Sequence, residues 1–130
     1  MTADSKPCAL IVSRNAVTAK GLRVYFGEHG ITSSVTNRLE RPPGYDAYTA
    51  VVLFPDEFTV ESAASSIEAF ARRFSRAWIV VVTRQVSHFE SLLADINVGA
   101  LGRLRVLPRP VWGWELLDHV IQPPPQIPSA

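Results

Sequence analysis

The stretch AWIVVVT, residues 77–83, is the most hydrophobic segment of the chain and is the strongest indication of its fold. A continuous run of branched apolar residues is typical of a strand that is covered on both faces, as in a parallel sheet between helices. Similar runs occur at 8–13 (CALIVS) and 49–54 (TAVVLF), and a shorter one at 104–107. The run 31–36 is more polar and is predicted to lie near a sheet edge.

Helix-forming stretches alternate with these five strands. Asn15 can cap a helix over about 16–28, Thr59 can cap one over 60–74, and Ser87 with Glu90 forms a capping box before FESLLADI. A last helix is predicted over about 112–121. Between the second and third strands, RLERPPGYDAY contains two prolines and a glycine, which disfavour a regular helix. The helix expected there is therefore shortened or missing.

Alternating strands and helices predict an α/β three-layer sandwich with right-handed crossovers. Five strands of this length suit the flavodoxin-like parallel order 2-1-3-4-5. We predict one domain over 7–122, followed by a proline-rich tail or linker at 123–130. Ligands of such sheets bind at the carboxyl ends of the strands, so chemistry is expected in the loops 13–15, 55–57, 83–85 and 108–110.

Composition excludes several classes of protein. The 130 residues carry 13 basic and 12 acidic side chains, so their net charge of +1 gives no broad surface for nucleic acid or an anionic membrane. No apolar segment approaches the about 20 residues that span a bilayer, and the N-terminus is not a signal peptide. Cys8 is the only cysteine of the sequence, so an internal disulfide and a cysteine-rich zinc site are excluded. The three histidines are not spaced in the sequence as metal ligands are. We expect a cytoplasmic domain without metal or cofactor.

The sequence resembles the receiver domain of bacterial two-component response regulators. The most specific stretch is GRLRVLPRPV, residues 102–111. Receivers typically have here a glycine, an aromatic switch residue four positions later, and then a lysine, a proline and a hydrophobic residue. The corresponding residues of this chain are Gly102, Val106, Arg109, Pro110 and Val111. Thr83 ends the fourth strand, where receivers place a threonine or serine. The resemblance extends over about residues 7–122 and implies a signalling role.

The phosphorylation residues of that family are mostly replaced. Receivers hold magnesium with an acidic pair after the first strand, but Ser13 and Arg14 stand there. They accept phosphate on an aspartate that ends the third strand, and Phe54, or Pro55 with a one-residue shift, falls at that position. Arg109 replaces the lysine and Val106 the switch aromatic. Asp56 could be a shifted acceptor, but it would still lack the metal-binding pair.

Arg14 and Arg109 are predicted to converge at the carboxyl edge, and two interpretations follow. With Thr83 they could bind an anion such as a nucleotide. Alternatively, they pair directly with Asp56 and Glu57 where a receiver would hold its metal. We favour the ion pairs, because opposite charges this close need no ligand.

The resemblance also implies an interaction surface. Receivers use their fourth and fifth helices and fifth strand as the usual dimer or partner face, and the candidates here are Trp112, Trp114, Arg103 and Arg105. The two tryptophans are two positions apart, so they cannot share one helix face. One can be exposed as a contact residue, or both can pack.

We therefore expect a phosphorylation-independent pseudo-receiver that acts as a protein interaction or dimerisation module. Its partner would be another protein or a second copy, through the last two helices and the fifth strand. The alternative is an anion- or nucleotide-sensing module that uses Arg14, Thr83 and Arg109. An enzyme is not expected, because no acid, base or nucleophile constellation is evident and neither GxGxxG nor GxxxxGK[ST] occurs.

Overall fold

A computed structural model describes residues 7–38, 48–58, 60–94, 103–109, 111 and 113–121. The strands are β1 (Cys8–Val12), β2 (Thr32–Thr36), β3 (Ala50–Leu53), β4 (Trp78–Thr83) and β5 (Leu104–Pro108). The helices in these ranges are α1 (Ala16–Glu28), α2 (Val60–Arg73), α3 (Val86–Leu93) and α4 (Gly113–Ile121), with a short 3-10 turn at Pro55–Glu57. The predictions for the helix between β2 and β3 and for the tail 123–130 concern residues outside these ranges.

The five strands form one parallel sheet in the order β2-β1-β3-β4-β5, which confirms the predicted fold class. The burial of the strands explains this order. β1, β3 and β4 are buried at every residue, whereas β2 and β5 contain exposed and half-buried positions. The continuous apolar runs therefore occupy the centre of the sheet and the two remaining strands its edges.

Alternate side chains of each central strand enter two separate cores. Under α2 and α3, Leu10, Val51 and Ile79 pack with the rings of Phe70 and Phe89. Under α1 and α4, the neighbouring strand residues pack with helix side chains, and the cluster includes Ile11, Val52, Val80, Phe26 and Leu116. The three layers follow from this period of two along the strands.

The bounds of α1 agree with the predicted cap and stop. The Asn15 side chain accepts hydrogen bonds from the N–H groups of Val17 and Thr18, at 3.0 and 3.2 Å. After the helix, Gly30 adopts a φ of 76°, which a side chain would disfavour, and the chain returns into β2. This short connection places β2 beside β1.

The predicted capping box before α3 is wrong. The helix begins at Val86, its N-cap is Gln85, and no side chain caps it. Ser87 therefore lies inside the first turn. The backbone N–H of Gln85 is instead bound by the Thr83 hydroxyl oxygen at 3.0 Å, so the end of β4 leads directly into the helix.

Within the described ranges, no helix is long and apolar enough to cross a membrane.

Candidate functional site

The carboxyl ends of β1, β3, β4 and β5 meet at one edge, which we call the carboxyl edge. The strand register aligns Val12 with Leu53, Leu53 with Val81, and Val81 with Val106. The residues that follow these positions are therefore neighbours in space. This register brings together the predicted site residues Ser13, Phe54, Pro55, Asp56, Thr83 and Arg109.

The third-strand loop supplies two carboxylates to this edge. After Leu53 the chain passes through Phe54 into the 3-10 turn Pro55–Glu57, whose first residue is a proline. Proline suits the first position of a helical turn, since it has no N–H to satisfy and its φ is already helical. The turn sends Asp56 and Glu57 towards two different neighbouring loops.

Glu57 binds the loop between β1 and α1. Its Oε1 accepts hydrogen bonds from the Ser13 hydroxyl at 2.8 Å and from the backbone N–H groups of Arg14 and Asn15 at 2.7 and 3.2 Å. Its Oε2 is buried without a hydrogen-bond partner among the described residues. Hydrogen bonds to a charged acceptor are the stronger ones, so this single oxygen holds the first loop in place.

Asp56 binds the other two loops. Its Oδ1 accepts from the Thr83 hydroxyl at 2.6 Å, and its Oδ2 accepts from the backbone N–H of Arg84 at 2.8 Å. The same Oδ2 lies 3.9 Å from Nη1 of Arg109. One side chain therefore contacts the ends of β4 and β5 together, and both of its oxygens are occupied.

The two residues at the predicted acceptor position cannot take part in phosphate chemistry. The Phe54 ring is only 2% exposed and packs in the core under α1 and α4. Pro55 is buried at the start of the 3-10 turn. Neither side chain offers a nucleophilic oxygen.

The carboxyl edge also does not fit Mg²⁺, the metal of the receiver fold. A hydroxyl and a guanidinium, those of Ser13 and Arg14, stand at the two positions that follow β1. Both oxygens of Asp56 and one of Glu57 already accept hydrogen bonds. Only Glu57 Oε2 remains, which is short of the several oxygen ligands that Mg²⁺ takes.

The predicted ion pairs form for one arginine and not for the other. Arg109 approaches Asp56, and its guanidinium also lies 5.9 Å from the centre of the Phe54 ring. The Arg14 guanidinium lies over the Phe58 ring at 5.9 Å, and no carboxylate pairs with it in the part of the chain that is described. Glu57 binds the backbone N–H of Arg14 instead.

The four candidates for the interaction surface have different environments. Arg103 is not presented to a partner: its guanidinium donates to the carbonyl oxygens of Ala71, Phe74 and Ala77 at 3.1, 3.0 and 2.7 Å, and burial lowers its pKa. It satisfies the carboxyl end of α2 and the turn that follows, a tertiary contact between segments about 30 residues apart that the local sequence could not reveal.

The other three candidates divide by exposure. Arg105 lies on the edge strand, with its guanidinium 4.5 Å from the centre of the Trp78 ring. Trp114 is 59% exposed on α4. Trp112 lies outside the described residues.

Sequence reasoning missed two contacts of the carboxyl edge. It named Glu57 as an ion-pair partner of arginine, whereas the carboxylate binds backbone N–H groups and the Ser13 hydroxyl. It did not single out Arg84, whose N–H meets Asp56. The available signal was the PDE triplet directly after a buried strand, because a proline-led turn fixes where the next two carboxylates point.

The architecture is similar to that of solved receiver domains. A response regulator of Burkholderia pseudomallei, solved with a phosphorylated aspartic acid, calcium and citrate, matches with a TM-score of 0.72 and 15% identity over 88% of this chain, which spans 66% of that protein. A receiver protein of Pseudomonas putida matches with a TM-score of 0.71 and 18% identity, over 91% of this chain and 98% of that one. The receiver domain of the regulator TorR gives 0.61 and 20%, over 87% and 92%.

These identities establish the fold and not the activity. Comparison of the sequence with family models and with curated proteins finds no match. The chain therefore has the flavodoxin-like receiver fold.

Proposed function

We propose that this chain is a phosphorylation-independent pseudo-receiver that serves as a protein interaction or dimerisation module in bacterial signal transduction. One observation carries the proposal: the Asp56 carboxylate is bound by the Thr83 hydroxyl and the Arg84 N–H and lies beside Arg109. These groups suit an incoming oxyanion, and the protein's own side chain already occupies them. A site filled in this way has no need of a phosphoryl group.

The same contacts support a fixed surface rather than a switched one. Glu57 holds the loop after β1, and Asp56 holds the loops after β4 and β5. Moving any of these loops would break hydrogen bonds to a carboxylate, each of which contributes about 0.5–1.5 kcal/mol. The module would therefore present one arrangement of its loops.

The partner surface we propose lies on α4 and the β5 edge. Trp114 and Ile121 are seven residues apart on α4, so they share one helix face, and they are 59% and 51% exposed. Arg105 lies on the neighbouring edge strand, and Leu92 on α3 is 40% exposed on the other side of the sheet. Aromatic and arginine side chains are enriched at the centres of protein interfaces. A second copy of the chain or another cytoplasmic protein would bind there.

The phosphorylation half of the proposal is tested with acetyl phosphate and magnesium. We expect intact-mass measurement to find no phosphoryl group on the protein, because no free carboxylate is paired with a metal site. The control is Asp56→Asn, which must likewise gain no phosphoryl mass relative to its own untreated sample. A phosphoryl group that maps to Asp56 and is lost in this variant would overturn the proposal.

The interaction half is tested by light scattering over a range of concentrations. If the chain dimerises, Trp114→Ala should weaken association by about tenfold, the effect of removing one interface anchor. Val17→Ala is the matched control, since Val17 is 82% exposed on a different helix, α1. A mass of one chain at every concentration rules out dimerisation. If both substitutions weakened association equally, the proposal that α4 forms the partner surface would be wrong.

The contacts of the three residues of the anion-sensing alternative do not support a shared site. The Thr83 hydroxyl donates to Asp56 and accepts from the Gln85 N–H, and Arg14 lies over Phe58. Arg109 lines a hollow near the carboxyl edge, but it also approaches the Asp56 carboxylate. The interaction module is therefore the better supported function.

A further inference from the structure

We infer that the groove between α1 and the outer edge of β2 binds an extended acidic segment of a partner protein, which adds to the sheet as a further strand. The groove has a volume of about 770 Å³ and is lined by side chains of α1 and of the β2 region. β2 and β5 are the two opposite edges of the sheet. The inference therefore does not rest on the α4 surface or on phosphorylation, and either can fail without the other.

The outer edge of β2 has no strand partner in the part of the chain that is described, where β2 pairs with β1 alone. The Ser13 N–H donates to the Thr36 carbonyl oxygen, so Thr36 directs its backbone groups towards β1. This direction alternates from residue to residue along a strand. The N–H and C=O groups of Ser33 and Val35 therefore point away from β1 and are available to a further strand.

The groove lies on the face of the sheet to which a further strand would direct every second side chain. Ser33 and Val35 align with Ala9 and Ile11, and the latter two belong to the core under α1 and α4. The Ser33 and Val35 side chains are therefore on the α1 face. Val35 and Val24 line the groove and are 40% and 53% exposed, so its apolar wall is open to solvent. Apolar side chains of an added strand would leave water against these valines.

The charge of the groove indicates an acidic occupant. Lys20 and Arg23 are exposed and line the groove, and its described lining contains no acidic residue. Neither cation forms a hydrogen bond or an ion pair within the described ranges. A strand that carries a carboxylate between apolar side chains would complement both the cations and the apolar wall, and complementary charge favours one partner over others.

Two other occupants fit the groove less well. A second copy that paired its β2 edge with this one across a twofold axis would bring another Lys20 and Arg23 to the same surface, where like charges repel. The tail 123–130 has proline at four of its eight positions and no acidic side chain, so it lacks most of the N–H groups that strand addition requires. Addition of an extended segment to a sheet edge is a general mode of peptide recognition.

The test is a titration of the full chain with a capped heptapeptide in which threonine alternates with valine, glutamate and valine, followed by backbone amide resonances. The two valines and the glutamate share one face of the extended peptide. We expect saturable shifts at Ser33 and Val35, a dissociation constant of about 1 mM or below, and cross-strand nuclear Overhauser contacts with β2. The peptide with lysine in place of glutamate should bind about tenfold more weakly or less.

Two N-methylated forms of the peptide test strand addition itself. One is methylated at the threonines and the other at the valines and the glutamate. Only every second N–H of an added strand faces β2, so one form should lose binding and the other should retain it. The form that binds also reveals whether the peptide runs parallel or antiparallel to β2. Equal binding of the two forms would overturn the inference.

Variants of the protein test the groove, each with a matched control. Val24→Ser should weaken binding by about threefold or more, whereas Val17→Ser should not, because both valines are exposed on α1 but only Val24 lines the groove. Arg23→Gln should weaken it by about two- to fivefold. Arg76→Gln makes the same change of charge at an exposed residue outside the groove and should have no effect. Equal effects within either pair would contradict the inference.

Amide hydrogen exchange of the free protein distinguishes the possible occupants. The N–H groups of Ser33 and Val35 should exchange rapidly when no peptide is present, and their exchange should slow when the peptide is added. Protection that increases with protein concentration would assign the edge to a second copy, and protection that does not would assign it to another part of this chain. Either result would overturn the inference, as would equal binding of the glutamate and lysine peptides or no saturable shift up to about 10 mM.

Discussion

Asp56 connects more of the carboxyl edge than any other side chain described above. Asp56→Ala removes the acceptor of the Thr83 hydroxyl and the Arg84 N–H, and it leaves Arg109 without its carboxylate. We expect the free energy of unfolding to fall by about 1–3 kcal/mol, as measured by urea denaturation. Formate or acetate should restore part of this loss, since a free carboxylate can occupy the same donors.

The control for this substitution is Asp118→Ala, an exposed aspartate on α4. It should change the stability by less than about 0.5 kcal/mol and should show no response to formate beyond that of chloride. If Asp56→Ala were as stable as the unmodified chain, the carboxylate would not hold the loops together, and the support for a fixed surface would be lost.

Arg103 is a structural residue whose geometry matters as much as its charge. Three carbonyl oxygens at the end of α2 and in the following turn share its guanidinium. Arg103→Ala should lower the free energy of unfolding by about 1–3 kcal/mol, and Arg103→Lys should recover only part of it, because an ammonium group cannot reproduce the planar set of donors.

The comparison for Arg103 is Arg72→Ala. Arg72 forms an exposed pair with Glu68 four residues earlier, and such pairs contribute about 0.3–0.5 kcal/mol. An Arg103→Ala variant no less stable than Arg72→Ala would show that the carbonyl contacts add little. A lysine variant as stable as the arginine would show that charge alone is sufficient.

At the scale of elements, the contact between α1 and α4 depends on a glycine. A Cβ atom at Gly113 would lie 2.9 Å from Cδ2 of Tyr25, so the tyrosine ring lies directly against the start of α4. Gly113→Ala should therefore destabilise the protein by about 1–2 kcal/mol, although alanine favours helices. Thermal or urea unfolding would measure this change.

Gly21 provides a control of opposite sign. It lies inside α1, and a Cβ there would meet nothing within 4 Å. Gly21→Ala should stabilise the protein by about 0.5–1 kcal/mol through helix propensity alone. In a Tyr25→Ala background, Gly113→Ala should lose most of its cost, and a cost that persists would contradict the steric explanation.

The elements themselves were largely predictable, and the reason is local. Continuous apolar runs identify β1, β3 and β4, and Asn15 marks the beginning of α1, because these signals depend only on neighbouring residues. The start of α3 was not predictable in this way. Thr83 binds both Asp56 and the Gln85 N–H, so a contact with the third-strand loop determines where the helix begins.

The site was predictable as a location but not as a set of contacts. The alternation of strands and helices predicts the strand order, and that order alone brings the loops after β1, β3, β4 and β5 to one edge. The hydrogen-bond partners of Glu57 depend on the direction that the 3-10 turn gives its side chain. The role of Arg103 depends on the position of backbone carbonyl groups at the end of α2. Both are tertiary features, so residue types and spacing alone could not resolve them.

For the whole molecule, Cys8 can report global unfolding. It begins β1, between β2 and β3, and is 8% exposed. Its N–H donates to the Thr49 hydroxyl, and its carbonyl accepts from the Thr49 N–H. A thiol reagent needs the thiolate, and burial raises the pKa of this thiol. We therefore expect labelling of the native protein to be slow and to require separation of the strands.

The raised thiol pKa also predicts how stability changes with pH. The folded chain retains the Cys8 proton at pH values where the unfolded chain has released it. The stability contribution of this group is therefore complete below the ordinary thiol pKa of about 8.5 and is lost as the pH rises above it. Cys8→Ser should reduce this alkaline loss, which urea midpoints on either side of that pH would measure.

Labelling rates can then distinguish opening of the whole sheet from fraying of β1. If exposure of Cys8 requires global unfolding, Gly113→Ala and Arg103→Ala should accelerate labelling by the factor that their loss of stability predicts, although both substitutions lie far along the chain from the thiol. Gly21→Ala should slow it. A rate that stays constant across these variants would mean that β1 opens by itself, and that the central strands do not unfold as one cooperative unit.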